Sequence, residues 1–145
     1  MYASASEQTI CTANKGAYLT GTVISAPRFA TSSSTRSGIK LTHTRLNLRG
    51  ADGRTYDVAM DNVFAVDYVK NATTMPRSLA AIRVNDHLGL CGAKYPDNTG
   101  IHWVHTNCGD VPTTAAPNGS VKVISATGAL GANLERSQTY CAIFD

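Results

Sequence analysis

With 145 residues, 43% of them hydrophobic and 16% charged, the chain is long enough for one domain with a buried core. No apolar run reaches the roughly 18 residues of a membrane-spanning helix, which excludes a helical membrane protein. The net charge of +3 at pH 7 is too small to indicate a nucleic-acid partner by itself.

The first half of the chain is typical of short strands separated by turns. Residues 17–25 predict a strand bent at Gly21, and the serine-rich residues 30–38 predict a polar, flexible loop. The next strand, 39–49, alternates. One face carries Thr42, Thr44, Leu46 and Leu48, and the other carries His43, Arg45, Asn47 and Arg49.

A hairpin and an irregular connection follow this strand. Asp52-Gly53 predicts a tight turn into a strand over 54–60, with Tyr56, Val58 and Met60 facing inward. Residues 61–81 break the alternation and predict a short helix that begins near Pro76.

The second half predicts three more strands. The first is 83–91, with Val84, Leu88 and Leu90 inward, and the second is 101–106, beyond the turn YPDNTG. The sequence PNGS then turns into a short strand over 121–125. Residues 130–144 are a candidate helix.

This order of elements favours a mainly β fold, a small OB-like β-barrel with a short helical connection. Barrel closure removes exposed strand edges, and a β-sandwich is the alternative. We expect a single domain over 1–145, with an N-terminal segment (1–16), the barrel (17–125) and a C-terminal segment (126–145).

The cysteine pattern indicates the compartment. Cys11, Cys91, Cys108 and Cys141 allow three pairings, and no C-x-x-C motif is present for a zinc ribbon or a thioredoxin-type site. Two structural disulfides would indicate an oxidising compartment, whereas four buried thiols would fit a cytosolic protein. Ala3-Ser4-Ala5 is similar to a signal-peptidase site, so we expect an exported protein (periplasmic, secreted or cell-surface) that has lost its signal peptide.

The predicted hairpin around YPDNTG favours one pairing. Cys91 and Cys108 end its two strands, near-symmetric about Thr99 and Gly100, where opposed positions come within disulfide reach. Cys11 and Cys141 would then join the chain ends. The pairings Cys11–Cys91 with Cys108–Cys141, and Cys11–Cys108 with Cys91–Cys141, would leave that hairpin unstapled.

Several fragments resemble a small, uncharacterised family of exported bacterial OB-like domains. These are Gly21-Thr22-Val23, the stretch VNDHLGLCG (84–92), the stretch IHWVHTNC (101–108), which resembles that family's "hWtHh" strand, and Pro117-Asn118-Gly119. The chain departs from the family at VAMDNVFA, where the family tends to carry a histidine close to Met60, and in its longer polar loop after the first strand. The resemblance implies the fold and export but no activity.

The histidines of the Trp103 segment do not predict a metal site. His102 and His105 are three residues apart, so on a regular strand they point to opposite faces. Further ligands would have to come from Cys108 or the distant His43 and His87. We therefore expect no metal, with Trp103 packed into the barrel and the histidines at its rim.

Catalytic motifs are also missing from the sequence. There is no G-x-S-x-G or H-E-x-x-H, and the only glutamates, Glu7 and Glu135, lie near the two ends. The glycine pattern over 126–132 lacks the second strand and the acidic residue of a dinucleotide site. We therefore expect no cofactor and name no catalytic residue.

The polar face of the strand over 39–49 is the candidate binding site. OB barrels hold extended oligomers on this region and its flanking loops, so the candidate ligand-binding residues are Arg36, His43, Arg45, Asn47, Arg49 and Tyr95. The alternative interpretation is an ordinary polar face that is exposed to solvent and binds no ligand. Because aromatic residues are few, a nucleic acid is the less favoured polymer.

The leading hypothesis is a secreted or periplasmic binding module for an extended polymer or a protein partner, with its ligand and oligomeric state left open. A small hydrolase and a purely structural or surface-exposed protein are the alternatives. A cleft holding a histidine beside a carboxylate would favour the hydrolase, and a flat basic face between mobile loops would favour the binding module.

Overall fold

The computed structural model describes residues 2–144, apart from the side chains of residues 2–5 and of Ser33. Helix α1 spans Tyr2–Ala13, and helix α2 spans Arg77–Ala80. The strands are β1 (Ala17–Val23), β2 (Arg28–Arg36), β3 (Ile39–Gly50), β4 (Thr55–Asp61), β5 (His87–Lys94), β6 (Gly100–His102) and β7 (Ser120–Ile124). Single 3₁₀ turns lie at Asn62–Phe64 and Cys141–Phe144.

Five of these strands close into a barrel. The order is β1-β3-β4-β6-β5, and β1 closes the ring because it pairs with both β3 and β5. The pair β4–β6 is parallel and the other pairs are antiparallel. The prediction of a mainly β, OB-like small barrel is therefore confirmed. Strand β2 extends the sheet beside the first half of β3, and β7 extends it beside β5.

The barrel interior is filled as the alternation predicts. On β4, Tyr56, Val58 and Met60 are fully buried, as are Leu46 and Leu48 on β3. The turn at Asp52-Gly53 is present, with Gly53 at φ +82°, a conformation that glycine adopts without strain. Helix α2 begins directly after Pro76, as predicted.

Four local predictions are wrong. Residues 30–38 form most of β2 and its turn into β3, because backbone pairing with β3 makes a strand of a sequence with little apolar content. Residues 130–144 form no long helix. Instead, they run beside β7, where the Gly131 and Leu134 amides donate to the Val123 and Val121 carbonyls. Val84 is exposed, because β5 begins only at His87. The strand predicted over 101–106 ends at His102.

Helix α1 covers part of β1 and β5. It ends in a turn in which the Gly16 amide donates to the Cys11 carbonyl at 2.9 Å. A Cβ at Gly16 would lie 2.4 Å from the Cys91 sulfur, so the close approach requires glycine. The candidate signal-peptidase site at Ala3-Ser4-Ala5 lies among residues whose side chains the structure does not describe.

The disulfide prediction is wrong. The bridges are Cys11–Cys91 and Cys108–Cys141, with Cα separations of 5.7 and 5.8 Å. The cause is the hairpin register: Ala93 pairs with His102 and Lys94 with Ile101, which sets residue 104 rather than Cys108 opposite Cys91. The chain then leaves the sheet at Trp103, which adopts φ +53°.

Both bridges anchor segments that lie outside the barrel. Cys11–Cys91 fastens α1 to β5 across a separation of 80 residues, and Cys108–Cys141 fastens the C-terminal segment across 33 residues. By loop-closure entropy they would contribute about 4.5 and about 3.7 kcal/mol respectively. Among the described residues, no helix is long and apolar enough to cross a membrane.

Candidate functional site

The outward face of β3 carries the predicted binding residues. His43, Arg45, Asn47 and Arg49 alternate along the strand with buried side chains, so their predicted common face is confirmed. The register with β4 sets Asp57 opposite Asn47 and Asp61 opposite His43. The outer face, defined here as the outward side of β2, β3 and β4, therefore holds two carboxylates among the basic groups.

Asp57 is the centre of a charged cluster on the outer face. The Arg45 guanidinium contacts its Oδ2, the Tyr95 hydroxyl donates to the same oxygen at 3.0 Å, and Arg28 of β2 lies 3.4 Å from Oδ1. The hydrogen bond with Asp57 raises the pKa of Arg45. Burial, followed by the Asp57 charge, raises the pKa of Tyr95. The cluster is held together by its own contacts, yet Arg28 keeps 49% and Arg45 36% of its side-chain surface exposed.

Asn47 joins this cluster to the connection between β1 and β2. Its Oδ1 accepts hydrogen bonds from Ser25 Oγ at 3.1 Å and from Arg28 at 3.4 Å. Its backbone N–H donates to Ser25 Oγ at 2.8 Å. Arg28, Asn47 and Asp57 thus form one connected polar surface.

The remaining predicted residues lie apart. The Arg36 guanidinium sits 5.4 Å from the Phe144 ring centroid, at the far end of β2. Arg49 is exposed at the opposite end of β3. Of the six candidates, the fold brings Arg45, Asn47 and Tyr95 into one cluster and places His43 in another.

His43 belongs to a second cluster, centred on Asp61. The Nε2 of His43 lies 2.7 Å from Oδ1 of Asp61, and the Nε2 of His105 lies 3.0 Å from Oδ2. Burial opposes the ionisation of Asp61, but the hydrogen bonds and charges of His105 and His43 outweigh it and hold the pKa of Asp61 well below its ordinary value. The carboxylate is therefore ionised and shared by two imidazoles.

His105 is fixed from several directions. Its ring stacks on Phe64, with centroids 3.9 Å apart and planes 9° apart, and lies 4.7 Å from the Trp103 ring. Its Nδ1 lies 2.7 Å from the Thr106 carbonyl oxygen, and since a carbonyl only accepts, Nδ1 carries the proton. Its Nε2 faces Oδ2 of Asp61 at 3.0 Å.

Glu135 is buried beside this cluster. Its side chain is inaccessible to solvent, and neither carboxyl oxygen has a hydrogen-bond partner of normal geometry. Burial, and then the charge of Asp61, raises the pKa of Glu135 well above its ordinary value. A carboxyl group in this setting is held in its neutral, protonated form.

A recess of about 220 Å³ opens beside His43 and Asp61. Its polar wall includes Ser32, Ser34 and Thr42, and its apolar wall is formed by Leu41, Val63 and Phe144. The two serines lie where the β2–β3 pairing shifts register between Thr31 and Thr35. Such irregularities re-aim side chains and are common next to functional sites.

A wider, open cleft of about 1100 Å³ lies at the other end of β3, between Arg49 and the loop that follows β7. Its histidine, His87, is exposed and hydrogen-bonded to Thr22 Oγ at 3.1 Å. Arg49 and His87 in this cleft are both exposed to solvent, so we favour the recess beside Asp61 as the chemical site.

The Trp103 segment differs from its predicted arrangement. His102 is exposed and His105 buried, but Trp103 is only half-buried, because its positive φ turns it out of the strand. The indole Nε1 donates to the Pro117 carbonyl at 2.7 Å. His105 does not cap the rim; it packs inside against Asp61. Within residues 2–144, no group of three histidine, cysteine or acidic side chains is placed to hold a metal ion.

The residues that sequence reasoning missed are Arg28, Asp57, Asp61, His105 and Glu135. A signal was available for the two aspartates, because inward Tyr56, Val58 and Met60 leave Asp57 and Asp61 on the outward face of β4. The contact of Asp61 with His105 joins residues far apart in the chain and had no local signal.

Comparison with protein families, curated proteins and solved structures gave no match. The resemblance of the Trp103 segment to exported bacterial OB-like domains therefore stays a prediction.

Proposed function

We propose that the chain is a binding module that holds a neutral, hydroxyl-rich polymer, a glycan, on the outer face. The observation that carries this proposal is the partly exposed cluster in which Asp57 contacts Arg28, Arg45 and Tyr95. OB barrels use this side of the barrel to hold extended oligosaccharides and oligonucleotides.

Pairing of the cationic groups favours a glycan over a polyanion. Two guanidinium groups share Asp57, which reduces their combined charge from +2 to +1. A polyanion ligand needs unpaired cations whose counterions are released on binding, and both guanidinium groups of this cluster already contact a carboxylate. Single-stranded nucleic acid also needs stacking platforms, whereas the Tyr95 ring packs closely over Gly100.

The same cluster suits hydroxyl groups. Each sugar hydroxyl can donate and accept, and the cluster presents guanidinium donors beside carboxylate and amide acceptors on side chains that already hold one another in place. A fixed array loses little conformational entropy when a ligand binds. A protein partner is less favoured, because protein interfaces have an apolar centre and this face is polar.

The proposed setting is outside the reducing cytosol. Two disulfides anchor the terminal segments, and such bridges persist in secreted, periplasmic or surface-exposed proteins. An exported module that meets extracellular or cell-wall polysaccharide agrees with both the bridges and the face.

Calorimetric titration tests the proposal with neutral oligosaccharides of several linkages, a sulfated glycan and oligothymidylate, each at low and high salt. We expect a neutral glycan to bind with little salt dependence. Arg45→Ala should weaken it roughly 10- to 100-fold, because hydrogen bonds to charged groups contribute about 1.5–3 kcal/mol. Arg83→Ala, which removes an exposed cation outside the outer face, is the matched control. Binding of the anionic polymers alone, with a steep salt dependence, would contradict the proposal.

A further inference from the structure

We propose that the recess beside Asp61 is a hydrolytic site for small carboxylic esters, in which His43 acts as the general base toward water. This activity goes beyond polymer binding on the outer face and does not depend on it. The contacts of Asp61 determine where the hydrogens of the neighbouring imidazole rings lie.

The contact with Asp61 determines the tautomer of His43. Its Nε2 faces Oδ1 of Asp61 at 2.7 Å, and because a carboxylate only accepts, Nε2 carries the proton. The Nδ1 of a neutral His43 then holds a lone pair. Among the side chains that the structure describes, none forms a hydrogen bond with this Nδ1, so it is available to accept a proton from water.

Asp61, which orients the His43 base, is itself held on its other oxygen by His105, 3.0 Å away. The His105 ring stacks on Phe64 and contacts the Trp103 ring, and its Nδ1 donates to the Thr106 carbonyl. A base that is oriented by a carboxylate, itself oriented by a fixed partner, has the arrangement that general-base catalysis uses.

The shape of the recess favours a small substrate. A volume of about 220 Å³ is smaller than the pockets that hold drug-sized ligands. The apolar wall of Leu41, Val63 and Phe144 suits a short acyl chain rather than a charged group. These features restrict the substrate class to esters of small carboxylic acids.

The reaction balances without a cofactor. The water oxygen bonds to the ester carbonyl carbon while His43 Nδ1 takes one water proton, and the carbonyl oxygen becomes an oxyanion. The oxyanion then reforms the carbonyl as the bond to the alcohol oxygen breaks, and the departing alkoxide takes the proton from His43. The products are a carboxylic acid and an alcohol.

The test is steady-state hydrolysis of 4-nitrophenyl acetate and 4-nitrophenyl decanoate by the full chain. We expect saturable turnover of acetate but not decanoate, and a solvent deuterium isotope effect on kcat. His43→Gln should lower kcat/KM roughly 100-fold, within the usual contribution of general-base catalysis. Asp61→Asn should lower kcat more than it changes KM, because the Asn amide can donate to Nε2 and leave the proton on Nδ1.

The matched control is His87→Ala, which removes an exposed histidine at the opposite cleft and should keep the wild-type rate. Near-ultraviolet circular dichroism establishes that each variant is folded. Equal losses in His87→Ala and His43→Gln would show unspecific imidazole catalysis and overturn the proposal. Absence of saturable wild-type turnover, or a stoichiometric fluorophosphonate adduct on Ser32 or Ser34, would overturn the water mechanism directly.

Discussion

Replacing Glu135 by Gln should make the protein more stable at neutral pH than at acidic pH, relative to wild type. Glu135 is fully buried, and among the described residues neither of its carboxyl oxygens has a hydrogen-bond partner of normal geometry. Burial, with the nearby Asp61 charge, raises the pKa of this group. Gln has nearly the same shape but cannot ionise, so it removes the proton linkage while largely keeping the packing.

The sign follows from the number of protons bound. In the unfolded chain a glutamate ionises near pH 4.3, whereas the folded chain keeps Glu135 protonated to higher pH. Unfolding therefore releases a proton between the two pKa values, and the stability that Glu135 contributes is fully present below the lower value and is lost as pH rises through the higher one.

The magnitude is set by one proton. Within this window the wild-type free energy of unfolding should fall, relative to Glu135→Gln, by about 1.4 kcal/mol for each pH unit. If the window includes both pH 5 and pH 7, the free energy of unfolding of the variant should rise relative to that of wild type by up to about 2.7 kcal/mol between these two pH values. The difference between two proteins cancels the titration of groups that behave alike in both.

Urea unfolding, followed by the fluorescence of Trp103 at several pH values, measures this difference. Glu135→Leu is the second variant: it changes the packing but also cannot titrate, so its pH slope should match that of Glu135→Gln even if its absolute stability differs. Parallel pH profiles for wild type and Glu135→Gln would refute the reasoning, because they would show that Glu135 takes up no extra proton on folding.

Two further predictions concern the bonds that anchor the site. Replacing Cys108 and Cys141 together by Ser should lower the free energy of unfolding, measured by urea unfolding, by up to about 3.7 kcal/mol, because the bridge no longer restricts the unfolded chain. An unchanged unfolding midpoint would contradict this. Non-reducing peptide mapping should show the pairs Cys11–Cys91 and Cys108–Cys141. Asp61→Asn should lower stability at neutral pH by about 1–3 kcal/mol, because it leaves the buried His105 imidazole without its carboxylate partner. Since the folded pKa of Asp61 is depressed, this contribution is present above the unfolded value near pH 3.9 and is lost as pH falls below it, so the two proteins should converge in acid; a gap that persists there would count against the ion pair.

The sequence predicted the parts of the fold whose signal is local. Alternation along β3 and β4 identifies which side chains enter the barrel, and Asp52-Gly53 and Pro76 mark a turn and a helix start through their own backbone preferences. These features depend on residues close in the chain, so no knowledge of the remaining structure is needed.

The features that could not be predicted depend on distant partners. The serine- and threonine-rich β2 is a strand only because β3 pairs with it. The disulfides depend on a hairpin register that ends at His102, where Trp103 turns away with a positive φ. For the same reason, the approach of His105 to Asp61 was not visible, because alternation would have placed His105 on a regular strand.

The candidate site was predicted in part. The outward position of His43, Arg45 and Asn47 follows from alternation, but the contact of Asp57 with two guanidinium groups depends on how β2 and β4 pair with β3. That pairing is what favours a neutral glycan over the polyanion that a stripe of basic residues indicates.

The most direct test of the outer face as the binding surface is a titration of ¹⁵N-labelled protein with the neutral oligosaccharides, followed by two-dimensional NMR. We predict that the largest amide shifts fall on Arg28, Arg45, Asn47 and Asp57, and that Arg45→Ala abolishes them at the same ligand concentration. Shifts confined to the cleft around Arg49 and His87, with the outer face unchanged, would contradict the proposal.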